Sequence, residues 1–197
     1  MREQSLEALL TEIRACQICE AHLPLGPRPI LSAKPEAKIL LVGQAPGSKV
    51  HATGIPWNDP SGKRLREWLD MPDEVFYDPA QIAIIPMGFC YPGKGERGDL
   101  PPRPECAEAW QEKLLAKLPN IRLTLTIGQY AVGYHLGKRK KKTLAETVRH
   151  WGNYLNDDII PLPHPSPRNI MWRRKHPWFE EEVIPQIRIK VWEALEA

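Results

Sequence analysis

The 197-residue chain carries 27 basic and 24 acidic side chains, a net charge of +3, with 42% hydrophobic and 26% charged residues. That balance excludes wholesale disorder and fibrous repeats, and its mild basicity alone points to no particular partner. The length fits one globular domain over residues 1–197. No apolar run reaches the ~18 residues of a membrane span, and Glu7 breaks the stretch a signal peptide would need, so a cytoplasmic protein is expected.

Taken in chain order, residues 5–16 place Leu6, Leu9, Leu10 and Ile13 at helical spacing behind Ser5, an N-cap type. Four short apolar runs follow, at 38–43, 82–87, 123–128 and 159–163, each reading as a buried strand. Helical patterns separate or follow them at 61–71, 104–117, 128–136 and 178–196. Alternating strands and helices define an α/β class: a three-layer sandwich with a central four-stranded parallel sheet, because parallel strands need crossover helices that cover both faces. Ligands of such sheets bind beyond the carboxyl ends of the strands. The loops there hold the unusual residues, including many of the 21 prolines.

Four cysteines stand at Cys16, Cys19, Cys90 and Cys106. A C-x2-C turn aims two thiolates at one metal, and two more from elsewhere complete either a tetrahedral zinc site or an iron-sulfur cluster. The spacing alone leaves both open, beside the plain alternative of buried apolar thiols.

Three segments at the carboxyl edge carry candidate chemistry. After the first strand comes Gly43-Gln44-Ala45-Pro46-Gly47, continuing through Thr53-Gly54-Ile55-Pro56-Trp57 to Asp59-Pro60-Ser61-Gly62. After the fourth comes His164-Pro165-Ser166-Pro167. With the cysteine pattern, these resemble the uracil-DNA glycosylase superfamily, closest to its families four and five. The resemblance implies a three-layer fold, hydrolytic excision of uracil or another deaminated or modified base from DNA, and a four-iron, four-sulfur cluster on the four cysteines, with zinc as the alternative. It also implies a monofunctional enzyme, because no lysine in the matched motifs could form a Schiff base.

The residue types suit that chemistry. Breaking an N-glycosidic bond builds positive charge on the sugar and negative charge on the departing base, so a carboxylate near the sugar and a donor near the base lower the barrier. Asp59 and His164 fit those roles, although Asp59 reads equally well as a helix cap. Gln44 can orient a water but cannot act as a base, and Ala45 is equally non-ionisable, which leaves Asp59 as the expected sole carboxylate. Trp57, Met87 and the 43–47 turn, through Gly43, Ala45, Pro46 and Gly47, are the expected base-binding residues; Trp57 reads equally well as core packing. Ser166, Arg168, Asn169, Arg173, Lys94 and Arg97 are the expected DNA contacts, and the 168–171 segment the expected wedge. The second strand ends in apolar residues with no asparagine to read the base, so a range broader than uracil is expected. A damage-binding protein without turnover is the alternative. The partner is DNA, no membrane is involved, and a monomer is expected.

Overall fold

A computed structural model describes residues 4–197. Helix α1 (Leu6–Arg14) is capped by Ser5, whose hydroxyl accepts from the Ala8 amide, and it buries the four expected apolar residues. Strand β1 (Ile39–Val42) leads through the Gly43–Gly47 turn into α2 (Ser48–Thr53). Next come α3 (Pro60–Leu69), α4 (Asp73–Phe76) and β2 (Ile82–Ile84). A two-stranded hairpin of β3 (Lys94–Gly95) and β4 (Gly98–Asp99) interrupts the long loop before α5 (Pro104–Leu115). Then follow β5 (Leu123–Ile127), α6 (Gly128–Leu136), α7 (Leu144–Arg149), β6 (Ile159–Leu162), α8 (Ile170–Lys175) and α9 (Ile184–Glu196).

The main sheet is wholly parallel in the order β2-β1-β5-β6, with Ile39 opposite Ile82 and Leu123, and Leu125 opposite Ile160. Alternate residues serve opposite layers. Ile39, Leu41, Ile84, Leu125, Ile127 and Ile160 join α3 and α9 in one core, while Leu40, Val42, Ala83 and Ile85 join α1 and α5 in the other. Burial on both faces is why these strands read as continuous apolar runs. Among the described residues no helix is long and apolar enough to cross a membrane.

The four expected strands and five expected helices all form, with two adjustments. The expected strand at 82–87 ends at Ile84, because Pro86 has no N–H to donate. Its pairing with the β1 segment nevertheless continues through Ile85, Met87 and Gly88, whose amides donate to the carbonyls of Leu41, Gly43 and Gln44. The last helix is not uniform: Phe179–Val183 is π-helical, and the α-form begins one residue before Pro185.

The strand order reverses between β1 and β5, where a parallel sheet opens a crevice at its carboxyl edge. The turn after β1 and the loop after β6 emerge there. The run Lys138-Arg139-Lys140-Lys141-Lys142, the densest stretch of positive charge in the sequence, does not. Helix α6 starts beside His164 and carries the chain back for nine residues, about 13 Å, before that run begins. Arg139 there pairs with Asp157, and its carbonyl accepts from the Tyr154 hydroxyl.

Candidate active site

A cleft of about 520 Å³ opens at the carboxyl edge of the sheet, within the usual range for small-ligand sites. Its walls come from the 43–47 turn, residues 56–61, the floor residues Ile84 and Pro86, the 97–100 hairpin segment, and the loop from His164 to Asn169.

Trp57 forms the back wall in a costly backbone conformation. Its φ of 56° lies in the left-handed region, which a bulky residue adopts only when its surroundings hold it there. Arg66 and the Tyr77 hydroxyl donate to its carbonyl at 3.3 and 3.4 Å. Arg66 is fixed in turn by Asp73 at 2.7 Å and by the Phe76 and Tyr77 rings. Two glycines make room: a Cβ at Gly62 would collide with the Trp57 carbonyl, and one at Gly43 would lie 2.8 Å from the indole. The indole rests against the His164 ring, centroids 5.7 Å apart.

Asp59 is both helix cap and cleft residue. Its Oδ1 accepts the Gly62 amide at 2.8 Å, with Pro60 opening α3 behind it. His164 is half-buried, and the resulting desolvation pulls its pKa down from the usual imidazole value, while the charges of Asp59 and Asp99 push it back up. Its Nδ1 accepts the Ser166 amide at 3.2 Å, and the Asn169 side chain donates to its carbonyl at 2.8 Å. That bond places the proton of the neutral ring on Nε2, so the side chain offers the cleft a donor without a full charge.

The hairpin is the part that sequence reasoning missed. Lys94 pairs with Asp99 and Gly95 with Gly98 around a two-residue Glu96-Arg97 turn. The Leu100 amide donates to Gly93 at 2.8 Å, and the Gln44 side chain reaches the Leu100 carbonyl at 3.5 Å. A Cβ at Gly98 would lie 2.6 Å from the Arg168 guanidinium, and one at Gly47 would lie 3.5 Å from Asp99 Oδ2. The hairpin thus folds over the 43–47 turn and brings a second carboxylate to the cleft, correcting the expectation that Asp59 stands alone.

The structure gathers Gly43, Gln44, Ala45, Pro46, Gly47, Trp57, Asp59, His164, Ser166, Arg168, Asn169 and Arg97 around one cleft. Three expected residues fall outside it. Met87 is buried in the α1–α5 core, on the other face of the chain from Ile84 and Pro86. Lys94 is exposed at the base of the hairpin. Arg173 pairs with Glu180 at 3.0 Å. Beside the cleft, Ile170 and Met171 stand 43% and 56% exposed, large apolar side chains open to solvent.

Cys16, Cys19, Cys90 and Cys106 line one small apolar cavity with Ile18, Leu23, Phe89 and Trp110. Burial pushes the Cys90 thiol up to about 11 and the Cys106 thiol to about 12, with neighbouring thiols adding to both. The Arg28 and Phe89 amides donate to the Cys90 and Cys106 sulfurs, the latter at 3.3 Å. Among the described residues no group of three or more His, Cys, Asp or Glu side chains is arranged to hold a single metal ion.

An α/β fold with a polar cleft at its topological switch point defines a ligand-binding or catalytic protein of the doubly covered parallel-sheet class. The chain belongs to the uracil DNA glycosylase superfamily, which matches residues 31–188. Members of that superfamily are DNA N-glycosylases. The matched span includes Cys90 and Cys106 and begins after Cys16 and Cys19.

The two-glycine clamp on Trp57 gives a direct test. Gly62→Ala keeps the amide that donates to the capping Asp59 carboxylate and adds only a methyl group aimed at the Trp57 carbonyl. It should destabilise the fold by about 1–3 kcal/mol by overpacking, against the gain an alanine normally brings to a helix. Denaturant midpoints measure this, and unchanged or raised stability would contradict the clamp.

Proposed function

We propose that the chain is a monofunctional DNA glycosylase that flips a deaminated or modified base into the cleft and hydrolyses its glycosidic bond. The observation that carries this reading is the placement of Asp59 and a half-buried His164, its Nδ1 occupied by the Ser166 amide, around one cleft at the sheet's carboxyl edge. The C1′–N bond breaks with its electron pair leaving on the base. The Nε2–H of His164 donates to the base oxygen on which that charge gathers, and Asp59 offsets the positive charge on the sugar. Gln44, part of the same wall, orients the attacking water through its amide. Trp57 walls the pocket and offers a face for the flipped base.

Around the cleft, Arg97 and Arg168 supply charge for phosphates, Ser166 and Asn169 supply polar contacts, and exposed Ile170 and Met171 are suited to fill the gap left in the stack. Where the β2 segment meets the pocket it contributes apolar Ile84 and Pro86 rather than an amide side chain that could read a base edge, which favours a substrate range broader than uracil.

The four thiols fit a four-iron, four-sulfur cluster. The donor set is purely cysteine, the lining is apolar, and two amides point at sulfur, as around such clusters. Zinc on the same four thiols is the alternative. When bound, the cluster ties α1 to the start of α5 and to residues 88–90 and supplies structural support.

The activity is tested by base release from oligonucleotides bearing uracil, hypoxanthine, xanthine or mismatched thymine, with Asp59→Asn as comparison. The asparagine oxygen still caps α3, so the fold survives while the charge is lost. The expected result is release of at least one base by the wild type and a loss of roughly 100-fold or more in the variant. Lesion-dependent binding without release would favour the damage-binding reading. For the cluster, anaerobically prepared wild type should carry iron and broad visible absorbance. Cys106→Ser should lose both and melt at lower temperature; unaltered iron content and melting would contradict the assignment.

A further inference from the structure

We propose that Asp99 is a catalytic residue of this site, the carboxylate that receives the proton of the attacking water. The inference rests on the glycosylase reading and supplies the group that reading lacks. The turn after β1 carries Gln44 and Ala45, neither of which can take a proton. Asp59 has one oxygen committed to the Gly62 amide and is held rigidly at the start of α3, a geometry for fixed electrostatic support. Asp99 differs on both counts. Among the described residues its carboxylate has no hydrogen-bond or ion-pair partner, and Oδ2 sits 3.5 Å from the Cβ position of Gly47.

The hairpin reaches this turn from the opposite wall and is held there at several points. The Arg168 guanidinium occupies the space a side chain at Gly98 would need, Leu100 closes onto Gly93, and the Leu100 carbonyl meets Gln44. The carboxylate lies against the turn, within van der Waals reach of a Cβ at Gly47. Asp99 also acts electrostatically on His164, so the two lie on the same cleft. The result is two carboxylates with divided roles, Asp59 fixed beneath the sugar and Asp99 free to bind water.

In the step itself the water oxygen bonds to C1′ as the C1′–N bond breaks with its electron pair passing to the base. The water proton moves to an Asp99 oxygen and is later lost to solvent. The base anion, held by His164 Nε2–H, is protonated by solvent on release.

The test is single-turnover excision on duplexes carrying uracil or hypoxanthine, comparing wild type, Asp99→Asn, Asp99→Ala and Glu96→Gln, the last in the exposed hairpin turn outside the cleft. Asp99→Asn and Asp99→Ala should both lose about 100-fold or more in rate while DNA affinity and melting stay at wild-type values. Glu96→Gln should match wild type. An active wild type with Asp99→Asn within about twofold of it overturns the role of Asp99 and leaves the glycosylase reading standing. A rate loss matched by an equal loss of DNA affinity also overturns it, in favour of a contact that only positions the hairpin. A wild type that releases no base overturns both proposals.

Discussion

The site depends on one held strain, the left-handed backbone of Trp57. Such a conformation costs about 1–3 kcal/mol and persists only where neighbours over-determine it. Here those neighbours are the Gly62 backbone beneath the carbonyl, Arg66 and Tyr77 donating to it, and Gly43 under the indole. The same geometry turns the chain sharply enough for Asp59 to cap α3 three residues before Gly62. It also sets the indole against His164, so the two polar groups from different loops meet across one wall. Relaxing Trp57 would move the carboxylate, the imidazole and the pocket's back wall together.

Much of the architecture was legible because its causes are local and periodic. Strands buried on both faces must be apolar throughout, and Leu6, Leu9, Leu10 and Ile13 sit one helical turn apart, so both kinds of element announce themselves. The hairpin did not, since two-residue strands made of Lys94-Gly95 and Gly98-Asp99 carry no alternation and owe their place to tertiary contacts with Arg168 and Gln44. Asp99 was missed with it. The Gly95 and Gly98 pair flanking a two-residue turn was the one available signal. Met87 was misplaced by strand parity: Ile84 and Pro86 face the cleft, so Met87 must face α1 and α5. The glycine-rich turn and the histidine loop were legible because each is contiguous in sequence, and the structure brings both to one cleft.

Electrostatics and packing divide cleanly between the two ends of residues 86–90. At one end Pro86 floors the cleft, and its carbonyl accepts from Gln111 of α5 at 2.7 Å. At the other, Cys90 enters the thiol cavity, where Cys106 of the same helix accepts from the Phe89 amide. Helix α5 therefore braces both the pocket floor and the thiol site through a fully buried glutamine and a buried cysteine. Asp59, half-buried, and the exposed Asp99 share the cleft lining with the exposed Arg97 and Arg168, so both signs of charge face the same opening, cations for phosphates and carboxylates for a sugar cation.

The central claim is that this cleft stabilises positive charge developing on a sugar. The most direct measurement compares binding of duplex DNA carrying a cationic pyrrolidine in place of the target sugar with binding of the neutral tetrahydrofuran duplex. The account predicts that the cation binds about 100-fold tighter, with that preference largely abolished in Asp59→Asn. Equal affinity for the two duplexes, or a preference indifferent to Asp59, would contradict it.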